Sequence, residues 1–113
     1  ILEPHWCVLD TTATITISDS VRWECSADLE GNVIINAGAT LEIGCRVSMP
    51  EQATITIYPG GKLVVLGSGK IHNSCGAMWG GIRLVEERKI SGNLMMMEGG
   101  LIQDTFYPLV IQK

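Results

Sequence analysis

Short runs in which apolar and polar residues alternate occupy much of the chain. Thr14-Ile15-Thr16-Ile17 alternates strictly, and Thr54-Ile55-Thr56-Ile57 repeats the same four letters. Val33-Ile34-Ile35 and Leu41-Glu42-Ile43 are β-rich runs on either side of a glycine. A period of two sends alternate side chains to one face of a strand, and β-branched residues suit that pleated setting. No stretch carries an apolar stripe at helical spacing free of glycine or β-branched runs. The pattern predicts strands throughout and no helix.

An internal repeat decides what the strands build. Asn32 to Ile43 can be set above Thr54 to Val65 at an offset of 22 residues. Val33 then falls on Ile55, Ile35 on Ile57, Gly38 on Gly60, Leu41 on Leu63 and Ile43 on Val65. Two weaker copies are expected around Trp79-Gly80-Gly81-Ile82 and Met97-Glu98-Gly99-Gly100-Leu101, making Gly80 and Gly99 the next corner glycines. Each copy is strand, glycine corner, strand. A period near 20 is too short for a helical repeat or a propeller blade, but fits one turn of a parallel β-solenoid. There each residue stacks on its counterpart about 4.8 Å away in the next turn. The expectation is an all-β, single-stranded parallel β-helix of about five turns over residues 13–113, with residues 1–12 as an N-terminal extension or cap. The aliphatic positions point inward and the intervening Thr, Glu, Lys and Asn outward. A leucine-rich repeat needs a leucine and Asn or Cys ladder that is missing here. A β-sandwich shares the short strands but not the self-match.

Composition narrows the function classes. Twelve acids against eight Lys plus Arg give a formal charge of −4, which argues against a nucleic-acid or anionic-membrane partner. No apolar run approaches a membrane span, so no membrane insertion is expected, and no signal peptide heads the chain. The chain breaks off after the strand-like Leu109-Val110-Ile111, from which a fragment of a longer protein is expected. The four cysteines, Cys7, Cys25, Cys45 and Cys75, contain no CxxC pair, so zinc-ribbon and thioredoxin-like chemistry lack support. Buried thiols and disulfides of an exported protein both fit. Cys25 and Cys45 lie 20 residues apart, close to one solenoid turn, and are the candidate disulfide pair. His5 and His72 are expected to be turn residues rather than metal ligands.

The strings Gly31-Asn32-Val33-Ile34-Ile35-Asn36-Ala37-Gly38-Ala39-Thr40-Leu41-Glu42-Ile43, Ile55-Thr56-Ile57-Tyr58-Pro59-Gly60-Gly61-Lys62-Leu63 and Cys75-Gly76-Ala77-Met78-Trp79-Gly80-Gly81-Ile82, with Val21-Arg22-Trp23 and Met49-Pro50, carry a resemblance. Over roughly residues 13–105 the chain resembles the right-handed parallel β-helix regions of large secreted surface proteins of Bacteroidota. The resemblance implies export by the type IX route and a place in a long multidomain chain. It brings no catalytic residues to map. The right hand of the coil rests on this resemblance and on the general hand of parallel crossovers.

Candidate chemistry is sparse. Gly67-Ser68-Gly69-Lys70 lacks the glycine and the Ser or Thr that a phosphate loop requires, with Val64 and Ile71 at those places. Glycoside chemistry wants two facing carboxylates. Glu86 and Asp104, 18 residues apart, are the one pair worth inspecting. A solvated Glu86-Glu87-Arg88-Lys89 turn and an Asp104 bonded to its own backbone are the plainer accounts. In Met95-Met96-Met97, Met96 is expected to fill the core, with Met95 and Met97 on an outer contact face. Scattered Trp6, Trp23 and Trp79 fit corner or cap packing, with Trp79 also a candidate partner contact. No catalytic residue, cofactor or metal set is expected. The expected function is a non-enzymatic cell-surface or secreted module: a stalk, an adhesive segment or exported cargo. Its partners would be other domains of the same chain, surface or secretion-system proteins, or glycans. The alternative is part of a carbohydrate-active β-helix enzyme.

Overall fold

The computed structural model describes residues 13–24, 27–29, 31–73, 78–105 and 109–112. Their regular structure is strand, with no helix. The strands are β1 (Ala13–Ile17), β2 (Ser20–Trp23), β3 (Ala27–Asp28), β4 (Gly31–Ile35), β5 (Thr40–Ile43), β6 (Arg46–Ser48) and β7 (Thr54–Ile57), followed by β8 (Lys62–Val65), β9 (Lys70–His72), β10 (Gly81–Glu87), β11 (Ile90–Ser91), β12 (Asn93–Met96), β13 (Leu101–Ile102) and β14 (Leu109–Gln112). They form three sheets. The first runs β1-β4-β7-β10-β11, with β14 also on β10; the second β2-β5-β8-β12; the third β3-β6-β9-β13. The chain visits first, second and third sheet in that order four times, and β14 begins a fifth pass. All ladders are parallel except the β10–β11 hairpin.

The register follows the repeat. Val33 pairs with Ile55 and Ile35 with Ile57, while Leu41 pairs with Leu63 and Ile43 with Val65. All eight are buried. The ladders continue to Ile82 and Leu84 in the first sheet and to Leu94 in the second. Val47 and Ile71 supply the third wall. Removing these aliphatic columns from water is the main stabilising term, at roughly 1.5–3 kcal/mol per fully buried side chain. Gly38 and Gly60 turn the first corner at φ of 80° and 84°, a region that costs a side chain strain. Their backbones stack, Gly38 N–H donating to Gly60 O at 3.1 Å.

The weaker copies fall elsewhere than expected. Ile82, just after Gly80-Gly81, pairs with Ile55 at an offset of 27, so this glycine pair enters the first sheet instead of leaving it. Gly99 packs on Gly67 at the second corner, not on the Gly38–Gly60 column. The position above Gly60 belongs to Ser91, whose carbonyl accepts from Gly60 N–H at 3.3 Å. The later passes are longer, with offsets of 31 at both Asn93 over Lys62 and Leu101 over Lys70. The longer passes leave room for four passes through the three sheets and one further strand among the described residues.

Candidate functional site

The outer side of the first corner is where the fold departs from its repeat. Ser18, Asn36 and Tyr58 follow the ends of β1, β4 and β7. Asn36 N–H donates to Ile17 O at 2.9 Å and Tyr58 N–H to Ile35 O at 3.0 Å, which stacks these residues. Asn36 Nδ2 donates to Ser18 Oγ at 3.1 Å. Each corner then closes on itself: Ala39 N–H bonds Asn36 O and Gly61 N–H bonds Tyr58 O. In the fourth pass the same closing bond forms between Gly92 N–H and Val85 O, at 3.0 Å. Seven residues separate those two in sequence order when the span is counted from Val85 to Gly92, against three from Tyr58 to Gly61. The extra four residues make the hairpin.

In that hairpin Glu86 pairs with Ser91 and Glu87 with Ile90. Its two-residue tip, Arg88-Lys89, has φ of 53° and 66°. Positive φ at both positions is the backbone of a tight hairpin turn that ordinarily favours Asn-Gly. Beside the hairpin lies a groove of about 670 Å³, lined by Thr16, Ile34, Asn36, Ala37, Tyr58, Pro59 and Glu87. Tyr58 is a large exposed side chain there, at 40%. The groove therefore joins a phenol ring, a proline ring, a hydroxyl, an amide and one carboxylate. A second cleft of about 500 Å³ at the third corner is lined by Glu51, Gln52, Thr54, Met78, Trp79, Gly80 and Arg83.

The residues singled out from sequence are scattered. Glu86 sits in the hairpin, whereas Asp104 lies at the third corner, its Oδ2 accepting from Asn73 N–H at 3.0 Å. The pass length there is 31, so Asp104 stacks on Asn73 and the offset of 18 from Glu86 has no counterpart in the register. Its carboxylate bonds the backbone of another pass rather than its own. Trp79 presents no contact surface: it is 1% exposed, and its Nε1 donates to Gln103 O at 2.6 Å. Met95 and Met97 are exposed as expected, but so is Met96, at 41%. Met96 is in register with the buried Val65, yet β12 is the last strand of the second sheet among the described residues, and no further strand covers it. His72 is a buried strand residue opposite Ser48, not a turn residue. Gly67 to Gly69 form the second corner, with Gly69 N–H bonded to Leu66 O. Cys45 is buried at that corner; Cys7, Cys25 and Cys75 lie outside the described residues, as do His5, Trp6 and the N-terminal extension. Among the described residues no group of three His, Cys, Asp or Glu is placed to hold a metal ion, and no helix is long and apolar enough to cross a membrane.

The groove's residues were not among those the sequence singled out. The signal was present in the break of the 22-residue repeat at Glu86-Glu87-Arg88-Lys89, which marks an insertion at the corner that Tyr58 occupies. Comparison with protein-family models, with curated proteins and with solved structures returned no match.

Proposed function

We propose that the chain is a right-handed parallel β-helix module of an exported surface protein, and that it works by presenting side chains to partners rather than by catalysis. The fixed cyclic order of three parallel sheets supports the coil, and the usual hand of parallel crossovers supports its right-handedness. The observation that carries the non-catalytic reading is that the register separates Glu86 from Asp104, the acid pair the sequence offered for inspection. Glu42 lies between Arg22 and Val64, Glu86 opposite Ser91, and Asp104 on Asn73. None of these pairs sets two carboxylates across a cleft. The test is incubation of the protein with a polysaccharide panel. No turnover is expected; turnover abolished by Glu86→Gln or Asp104→Asn would overturn the reading.

Export carries a second expectation, a bridge between Cys25 and Cys45. Trp23 pairs with Ile43 and Ala27 with Val47, both at an offset of 20, so three residues lie between these paired positions in each pass. Equal connections between equal ladders favour equivalent residues coming within bridging distance. Peptide mapping without reductant should recover the Cys25–Cys45 cross-link; four free thiols in protein taken from the cell surface would remove the bridge and the compositional argument for export. The exposed Met95 and Met97 we assign to contact with a neighbouring domain of the same long chain. Methionine's flexible side chain adapts to such surfaces.

A further inference from the structure

The geometry points to the groove between Tyr58 and the β10–β11 hairpin as a binding site for an uncharged pyranose oligosaccharide. The inference rests on the non-catalytic reading above and names a ligand for it. Four observations converge. The groove, of about 670 Å³, is broad and open to solvent, a shape that admits an extended chain rather than enclosing a small molecule. Its hairpin wall is an insertion the stack does not need, since the corner closes with the same backbone bond with or without it. That wall brings Glu87, paired with Ile90 across the hairpin, to the edge of the groove that Thr16 and Tyr58 also line. Finally, Tyr58 and Pro59 leave apolar ring surface open to solvent beside polar groups.

The chemistry of the lining selects the ligand. Asn36 gives one Nδ2 hydrogen to Ser18, which leaves its second amide hydrogen to donate and its Oδ1 to accept. Glu87 offers carboxylate oxygens that accept only, and the hydroxyls of Thr16 and Tyr58 both donate and accept. A surface rich in acceptors suits a ligand rich in hydroxyl donors. The Tyr58 ring suits the flat C–H face of a pyranose, an apolar surface with polar edges. Among the described residues Glu87 is the only charged group of the lining, which disfavours an anionic saccharide. An extended peptide is disfavoured for a different reason. At Ile34 the floor belongs to β4, which spends its backbone groups on β1 and β7, so a peptide lying across the floor finds no ladder to join, and the strand edge nearest the groove is the outer side of β1 at the end of the sheet among the described residues.

The experiment is calorimetric titration with neutral gluco-, manno- and xylo-oligosaccharides, with oligogalacturonate as the anionic arm. Binding of at least one neutral series is expected, with oligogalacturonate inert. Tyr58→Ala should weaken binding about tenfold or more, as loss of an aromatic anchor does. Tyr58→Phe should stay within about threefold, because the ring is kept. The Tyr58 side chain is exposed, so neither variant puts folding at risk. Arg88→Asn with Lys89→Gly suits the tip's backbone and should leave affinity unchanged. Failure of every neutral series to bind, binding insensitive to Tyr58→Ala, or preference for oligogalacturonate lost in the tip variant would each overturn the assignment. Chromatography of the titrated sugars separates the two readings. Intact sugars keep the non-catalytic function whatever the affinity, whereas cleaved sugars refute it even if the groove binds.

Discussion

Truncating one ladder in successive passes tests the stacked core directly. Leu41, Leu63 and Leu94 are register neighbours in the second sheet. Leu63 lies between the other two and is fully buried; Leu94 is partly buried against the core. Leu63→Ala removes three buried carbons, worth about 2.4 kcal/mol at about 0.8 per carbon. Neighbours on both sides prevent collapse into the space, so a cavity term raises the loss to roughly 3–4 kcal/mol. Leu94→Ala leaves no enclosed cavity because β12 is covered on one side only, and since its side chain is only partly buried it should lose under half of the full three-carbon term, about 1 kcal/mol. Urea unfolding followed by far-ultraviolet circular dichroism gives both values by linear extrapolation. Stacked repeats can unzip in stages, so amide exchange of β5 and β8 should be followed in parallel. Equal losses at Leu63 and Leu94, or a larger loss at Leu94, would refute the ladder as the source of stability.

Gly69→Ala should cost about 2 kcal/mol or more in the same assay, because its Cβ would press on the Ile43 carbonyl oxygen and lie 3.1 Å from Val65 Cγ1, and backbone has no rotamer with which to retreat. Trp79→Phe should lose about 1–2 kcal/mol by leaving the Gln103 carbonyl without its indole donor, and should remove a blue-shifted component from the fluorescence emission. Arg22→Ala should change stability by less than about 0.5 kcal/mol, since the 3.1 Å pair with Glu42 is half exposed; a loss above about 1 kcal/mol would show the pair to be more than a surface contact.

The inward ladders were legible because they obey two constraints at once. A residue such as Leu41 must alternate with polar neighbours along its strand and also match Leu63 one pass later. Glycine obeys neither, and using it to extend the repeat misplaced Gly80 and Gly99. A corner glycine can answer to positive φ, as at Gly60, or to close backbone approach, as at Gly69, and these occur at different corners. Aligning Ile82 and Leu84 with Ile55 and Ile57 instead would have placed the fourth pass correctly. Met96 shows a different limit. Its position on the strand is inward, but burial also requires a strand beyond it, and alternation carries no information about the edge of a sheet. The groove was hidden for a related reason, since its parts come from β1, β4, β7 and the hairpin, and only the three-dimensional stack brings Thr16 near Glu87.

Variation in this fold is confined to corners for a physical reason. One residue added within a strand would move every following side chain to the opposite face and empty a column of the core. Added at a corner, it displaces only solvent-facing chain. The third corner accordingly lengthens from two residues between β3 and β4 to five between β6 and β7 and eight between β9 and β10, while Ile55 still meets Ile82 in register. The first corner takes four extra residues as a hairpin and restores its closing bond at Gly92, so that Leu94 lands on Leu63. The corners are thus free to acquire recognition surfaces that the ladders cannot carry. Two larger clefts among the described residues lie there, and the one that combines an open aromatic ring with polar groups adjoins the hairpin insertion.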